Sequence, residues 1–203
     1  MRLRRNRLPL LLTLVASISA VEGVDKDKNK FSPGPASSFA TKQTDNDVTI
    51  AAVAYDTEAL ANTAFGKMNP YAHGVLPVLV VIQNGSPNTV RLTGMKVEYV
   101  GPNRERIEAT PAKDVRYLRP PQRPNMIPGP GSTVKVLKTK KNPLDAPEIE
   151  GRGWAAQLLP AGNSANGFFY FQTPLQRNAT IYISGLADAK TGQEILYFEI
   201  PMK

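Results

Sequence analysis

From about position 48 onward the apolar residues fall into short runs with the period of strands rather than of helices. Val48 to Tyr55 is small and β-branched. Val75 to Ile82 and Phe168-Phe-Tyr-Phe171 are apolar at both parities, the pattern of strands buried on both faces. Pro77 belongs near the start of its strand, because proline cannot donate to a ladder in the middle. Val90 and Leu92, then Met95, Val97 and Tyr99, alternate with a slip of one residue at Gly94, which predicts a β-bulge. Gly101-Pro-Asn103 is a turn from which Arg104 to Ala109 pairs back. Leu158-Leu-Pro-Ala-Gly-Asn163 turns the chain into the second doubly apolar run. A last hairpin joins Thr180 to Gly185 with Ile195 to Ile200, with Leu196, Phe198 and Ile200 facing inward. Asp56-Thr-Glu-Ala-Leu-Ala-Asn62, stopped by Gly66, has the cap and helix formers of one short helix.

Seven to nine short strands with Gly/Pro-rich connections predict an all-β fold, a sandwich or a barrel, and the antiparallel β-sandwich with one short helix is the preferred reading. The doubly apolar strands are then central, and Trp154 is the plug between the sheets. Four stretches carry a resemblance: Gly74 to Asn84, Met95 to Val100, Leu159-Pro-Ala-Gly162 leading to Gly167-Phe-Phe-Tyr-Phe171, and Gly192 to Pro201. Together they resemble immunoglobulin-like modules of uncharacterised secreted bacterial proteins. The resemblance covers roughly Val48 to Met202. It implies an immunoglobulin-like fold and an envelope location, with no activity and no catalytic or ligand residue. There is no cysteine pair of the antibody kind.

The pattern before position 48 is different. Met1 to Arg7 is basic, Leu8 to Val15 is apolar, and Ala16-Ser-Ile-Ser-Ala20 is small, which is the layout of a secretory signal peptide over residues 1–20. Its apolar run is too short to span a bilayer, and no later run is long enough, so the mature chain is expected to carry no transmembrane span. Residues 21–47 alternate in charge, then run through Ser, Pro and Gly, with Phe31 and Phe39 almost the only large apolar side chains. Such a segment buries too little to offset its ordering entropy and is expected to be a flexible tether. The sandwich is expected over 48–203, and the chain is expected to be exported, periplasmic or extracellular.

Charge narrows the function. Lys+Arg number 25 against 17 Asp+Glu, a formal +8. Four of the arginines lie in the first seven residues, so the remainder is only +4. That balance does not suit a specific nucleic-acid binder. Without cysteine there is no disulfide framework, thiolate zinc site or cysteine nucleophile. A single histidine, His73, sits in a loop, and no serine lies in a Gly-x-Ser-x-Gly elbow. No catalytic residue, cofactor or metal site is therefore expected. The most enzyme-like feature is Glu148 and Glu150, two apart and so on one face if their segment is a strand. Such a pair suits a retaining glycoside hydrolase, with Arg152 as the competing ion-pair partner.

The distinctive feature lies between Lys113 and Lys141, where eight bases face Asp114 alone among five prolines. This basic, Pro-rich insertion at about 113–141 is expected to extend outward and carry its charge with it. Arg116, Arg119, Arg123, Lys135, Lys138, Lys140 and Lys141 are the candidate binding residues, and the partner is an envelope protein or an anionic polymer. Tyr117 is its only aromatic, which argues against base stacking. The leading expectation is thus a non-enzymatic binding module. The glycoside hydrolase and a structural spacer without a strong ligand are the alternatives.

Overall fold

The computed structural model describes residues 31–118, 126–128, 134–136 and 141–202. The first strands are β1 (Lys42–Asp45), β2 (Val48–Ala54) and, after helix α1 (Glu58–Phe65), β3 (Leu76–Asn84). Three more follow, β4 (Val90–Arg91), β5 (Lys96–Val100) and β6 (Arg106–Glu108), and then a short hairpin of β7 (Met126–Pro128) and β8 (Val134–Val136). The chain continues through α2 (Pro147–Gly151), β9 (Leu158–Leu159), β10 (Ser164–Phe171), β11 (Thr180–Ser184), β12 (Ala187–Asp188) and β13 (Phe198–Pro201).

All named strand pairs are antiparallel. A central sheet has the order β1-β2-β3-β10, a second four-stranded sheet the order β13-β11-β5-β6, and a small one the order β12-β4-β9. The protein is therefore mainly β, with few and short helices, as the strand pattern predicts.

The central sheet explains the doubly apolar runs. Ile50, Val78, Val80 and Ile82 point from one face into a core shared with Val97, Ile181, Ile183, Phe198 and Ile200 of the second sheet. Ala51, Leu79, Val81, Phe168 and Tyr170 leave the other face and meet Ala61, Ala64 and Phe65 of α1, Val115, and Ile149 of α2. One face is covered by a sheet and the other by a helical layer. Burial of both faces is what the doubly apolar strands predict; that the second cover is helical is not part of the expected sandwich with one short helix.

Local chemistry sets this layer. Thr57 caps α1 by accepting from the Leu60 N–H at 3.3 Å, and Gly66 ends the helix at φ +65°, a conformation glycine adopts without a Cβ penalty. Pro147 opens α2, where a missing N–H costs nothing. The Tyr170 hydroxyl crosses the layer and donates to the Ile149 carbonyl at 2.7 Å, satisfying an acceptor at the end of a helix too short to do so itself. Burial pushes the Tyr170 phenol well above its ordinary value.

Part of the expected tether belongs to the fold. Phe31 and Phe39 pack against the helix-side core, Ala36 is fully buried, and β1 pairs with β2. The β1–β2 connection is the two-residue turn Asn46–Asp47, with φ of 47° and 60°. Positive φ at both central residues makes the tight hairpin whose twist matches the strands, and Asn and Asp tolerate it. The ordered body thus reaches back to Phe31 rather than starting at Val48, and the two phenylalanines anchor a stretch that composition alone reads as tether. Residues 1–30, which hold the expected signal peptide and the rest of the tether, lie outside the described residues.

The phase slip at Gly94 is a change of sheet rather than a bulge within one strand. β4 pairs with β12, and β5 with β11, so the two segments pass together from the small sheet to the second sheet. The corner lies where Gly94 meets Gly185: a Cβ on Gly185, which has φ +78°, would lie 2.2 Å from the Gly94 carbonyl oxygen. That approach requires glycine at 185, while a Cβ on Gly94 would lie 3.1 Å from the Gly185 carbonyl oxygen, a tight contact.

The final hairpin is shorter than expected. Phe198 and Ile200 are fully buried, but Leu196 precedes β13 and is 67% exposed, so it does not share their inward face. Pro77 is the second residue of β3, at the strand start, where it opposes Tyr170. Asn84, the last residue of β3, is fully buried. Its amide donates to the Asn88 and Leu159 carbonyls and accepts from Ser86, so it is occupied in holding the β3 end to β9.

Candidate functional site

The basic insertion is gathered at its root. Asn142 Nδ2 donates to the Arg116 carbonyl at 2.7 Å, joining the residues where the segment leaves and re-enters the body. The Arg116 guanidinium reaches across to Asp145 at 3.2 Å and Glu150 at 2.9 Å. The outgoing side is a 3₁₀ stretch, Ala112–Leu118, whose Val115 is buried in the helix-side core. Between these ends, β7 and β8 pair with Met126 opposite Val136 and Pro128 opposite Val134. The described parts of the insertion are thus a tied neck and one antiparallel strand pair. Beyond Arg116, from Tyr117 to Lys141, the insertion carries six bases and no acid.

The candidate binding residues accordingly divide. Arg116 is part of the neck, and its charge is met by two carboxylates. Lys135 lies on β8 in register with Ile127. Lys141 is exposed where the segment rejoins the body, beside a groove of about 300 Å³ that Lys67, His73 and Asn142 also line. Arg119, Arg123, Lys138 and Lys140 lie outside the described residues.

The carboxylate pair of the hydrolase alternative does not have its expected geometry. Glu148 and Glu150 lie on helix α2, not on a strand. Two helical positions are separated by about 200° around the axis, so the side chains diverge instead of sharing a face. Glu150 holds Arg116, and Arg152, the expected ion-pair partner, places its guanidinium 5.1 Å from the Phe31 ring centroid. Glu148 and Glu150 therefore do not form the same-face carboxylate pair expected of an acid and a nucleophile.

A second location was not foreseen from sequence. Trp154 is not a plug between the sheets: it is half-buried and leans on the inter-sheet core from the edge, stacked on Phe169 with centroids 5.7 Å apart and planes 26° apart. Two glycines put it there. A Cβ on Gly167 would come within 2.7 Å of Trp154 Cα, and one on Gly153 within 2.6 Å of the Ala112 Cβ. Their absence lets the 153–154 backbone run against β10, where the Trp154 N–H donates to the Phe168 carbonyl at 3.3 Å. The indole N–H donates to the Ala156 carbonyl at 2.9 Å, fixing the ring.

Trp154 and Phe169 line a cleft of about 340 Å³, together with Met95 and Val97 of the β5 segment. Its polar lining residues are Lys96, Glu98, Glu108 and Thr110. Glu98 accepts from Arg106 at 2.8 Å, and Arg106 also lies over the Tyr182 ring at 4.6 Å. The cleft lies where the chain after β6 crosses from the second sheet to the free edge of β10, through the Thr110–Tyr170 bridge. Of three apolar side chains close together in the sequence after α1, Phe65 is buried, Met68 lines the groove beside Lys141, and the Tyr71 hydroxyl accepts from the Leu175 N–H at 3.3 Å.

No family model matches the chain, and no curated protein matches it. Among solved structures the chain is similar to Northeast Structural Genomics Consortium target SoR45, known from an X-ray structure. The identity is 9% and the TM-score 0.32, over 78% of this chain and 84% of that one. No family is identified by these matches. The class stands on the chain's own architecture: a mainly β protein of antiparallel sheets. Among the described residues, no helix is long and apolar enough to cross a membrane.

Proposed function

We propose that the chain is an exported, non-enzymatic binding module of the cell envelope, an immunoglobulin-like β-sandwich in its two facing sheets, which engages an anionic partner through its basic hairpin. The partner is an acidic face of an envelope protein or an anionic polymer. The observation that carries this reading is the tied neck. The Asn142–Arg116 hydrogen bond and the two Arg116 ion pairs hold together the ends of a segment whose sequence has six bases and no acid, so that segment leaves and rejoins the body at one place. A rigid scaffold displaying a charged loop is a common way to separate stability from recognition. Lys67 and Lys141 extend the positive surface onto the body beside the neck.

Binding of this kind depends on salt, because exposed charges are screened within a Debye length of about 10 Å at 0.1 M ionic strength. The test is a titration of the full chain with a soluble polyanion, polyglutamate, across a salt series. A parallel variant has residues 119–141 replaced by a Gly/Ser loop. Binding by the parent that weakens with salt and is lost in the variant supports the reading. Equal binding by the two proteins, or none by the parent at low salt, refutes it.

A further inference from the structure

The cleft beside Trp154 is the opposite kind of surface, partly apolar and balanced in charge. We propose that the cleft lined by Trp154 and Phe169 binds a neutral saccharide, a monosaccharide or disaccharide unit. This inference is independent of the basic hairpin.

Three properties of the cleft select the ligand. Its volume, about 340 Å³, is at the small end of the roughly 300–1,000 Å³ typical of small-molecule sites. Its apolar lining includes a flat indole whose orientation is set by its own N–H bond to Ala156 and by two glycines that no other residue replaces without a clash. A flat ring set beside open space is a surface for stacking another flat, largely apolar face.

The polar lining then decides the chemistry. Lys96 is a donor only, the carboxylates of Glu98 and Glu108 are acceptors only, and the Thr110 hydroxyl is both. With Arg106 held on Glu98, the charges cancel: Lys96 and Arg106 against Glu98 and Glu108. An anionic ligand meets two carboxylates and a cationic one meets Lys96, while a wholly apolar ligand desolvates all of them without return. A sugar ring has the complementary features. Its axial C–H face is apolar, and its hydroxyls both donate to carboxylates and accept from an ammonium, while the molecule carries no charge.

Because Trp154 is the only tryptophan of the chain, its emission reports on this cleft alone. The experiment is a fluorescence titration of the full chain with cellobiose, maltose and N,N′-diacetylchitobiose, to about 20 mM, a range that covers the millimolar affinities of small uncharged ligands near −4 kcal/mol. Glucuronate and glucosamine serve as charged analogues. The expected result is a saturable change with at least one neutral sugar, weaker by about tenfold for both charged analogues, and weaker by about tenfold in Lys96→Ala and Glu108→Ala, each loss worth about 1.4 kcal/mol. Both residues are exposed, so these variants keep the fold. The proposal is overturned by the absence of a saturable change with all three sugars. It is equally overturned by tighter binding of a charged analogue, or by a response that both substitutions leave unchanged.

Discussion

The two faces of the central sheet are both dry, yet they are filled differently. Toward the second sheet, Val and Ile at two-residue spacing on both partners are the commonest side chains, with Tyr99, Phe171 and Phe198 among them. Toward the helices the core is built around one aromatic cluster: Phe168 sits 4.9 Å from Tyr55, 4.8 Å from Phe65 and 5.5 Å from Phe31, with Tyr170 next to it. Two pleated surfaces match each other along their length, so compact β-branched residues fill the space between them. Short helices and a returning segment leave a less regular gap. Large rings close it, and a phenol hydroxyl supplies the polar tie that the helix end requires. The contrast teaches that a strand apolar at both parities says only that both faces are covered, not by what.

This difference can be tested by unequal mutations. The largest loss is expected for Phe168→Ala, which removes the ring at the centre of the helix-side cluster. Denaturant unfolding should show a decrease of about 3–5 kcal/mol. A smaller decrease, about 1–3 kcal/mol, is expected for Tyr170→Phe, because the Ile149 carbonyl loses its donor while the ring remains. On the sheet-to-sheet face, Ile183→Val should cost only about 0.5–1.5 kcal/mol, since the pleated surfaces close around a single missing methylene. A result reversing the first and third would mean that the inter-sheet core, not the aromatic layer, is the tighter packed.

Alkaline titration sharpens the same comparison with the smallest effect. Tyr55 and Tyr170 on the helix side, and Tyr99 between the sheets, have raised pKa values, chiefly from burial, against an ordinary value of 10.0, so only a variant of one tyrosine assigns the effect to a face. The folded chain therefore keeps protons that the unfolded chain releases above about pH 10. Their contribution is complete below pH 10 and declines as the pH rises above it. Unfolding measured between pH 9 and pH 11, values chosen to bracket that pKa, should fall less steeply in Tyr170→Phe than in the parent. An unchanged slope would show that the helix layer opens to water before the phenol ionises.

The basic hairpin and the Trp154 cleft differ in how far the sequence foretells them. Charge is a property of composition, so the excess between Lys113 and Lys141 is legible without coordinates. That Arg116 is spent on the neck is not, because Asp145 and Glu150 lie about thirty residues further along the chain. The cleft joins residues near 95, 110, 154 and 169, whose proximity follows only from the strand order. The one local sign was glycine, at 153 and 167, which marks close backbone approach without saying to what.

By itself, the sequence determined the β character, the helix at α1 with its cap and glycine stop, the two strands buried on both faces and the place where the Gly94 phase breaks. Each of these is a matter of spacing or backbone freedom among near neighbours. Tertiary structure alone decided the helical layer over the central sheet and the joining of β1 to the body. It also decided the turning of Glu148 and Glu150 onto a helix. β1 has no apolar residue, so only its turn and its partner strand make it a strand. The segment around Ile149 has one apolar residue flanked by acids, a pattern common to a strand and a single helical turn. Its choice rests on Pro147 and on the Tyr170 hydroxyl waiting across the layer.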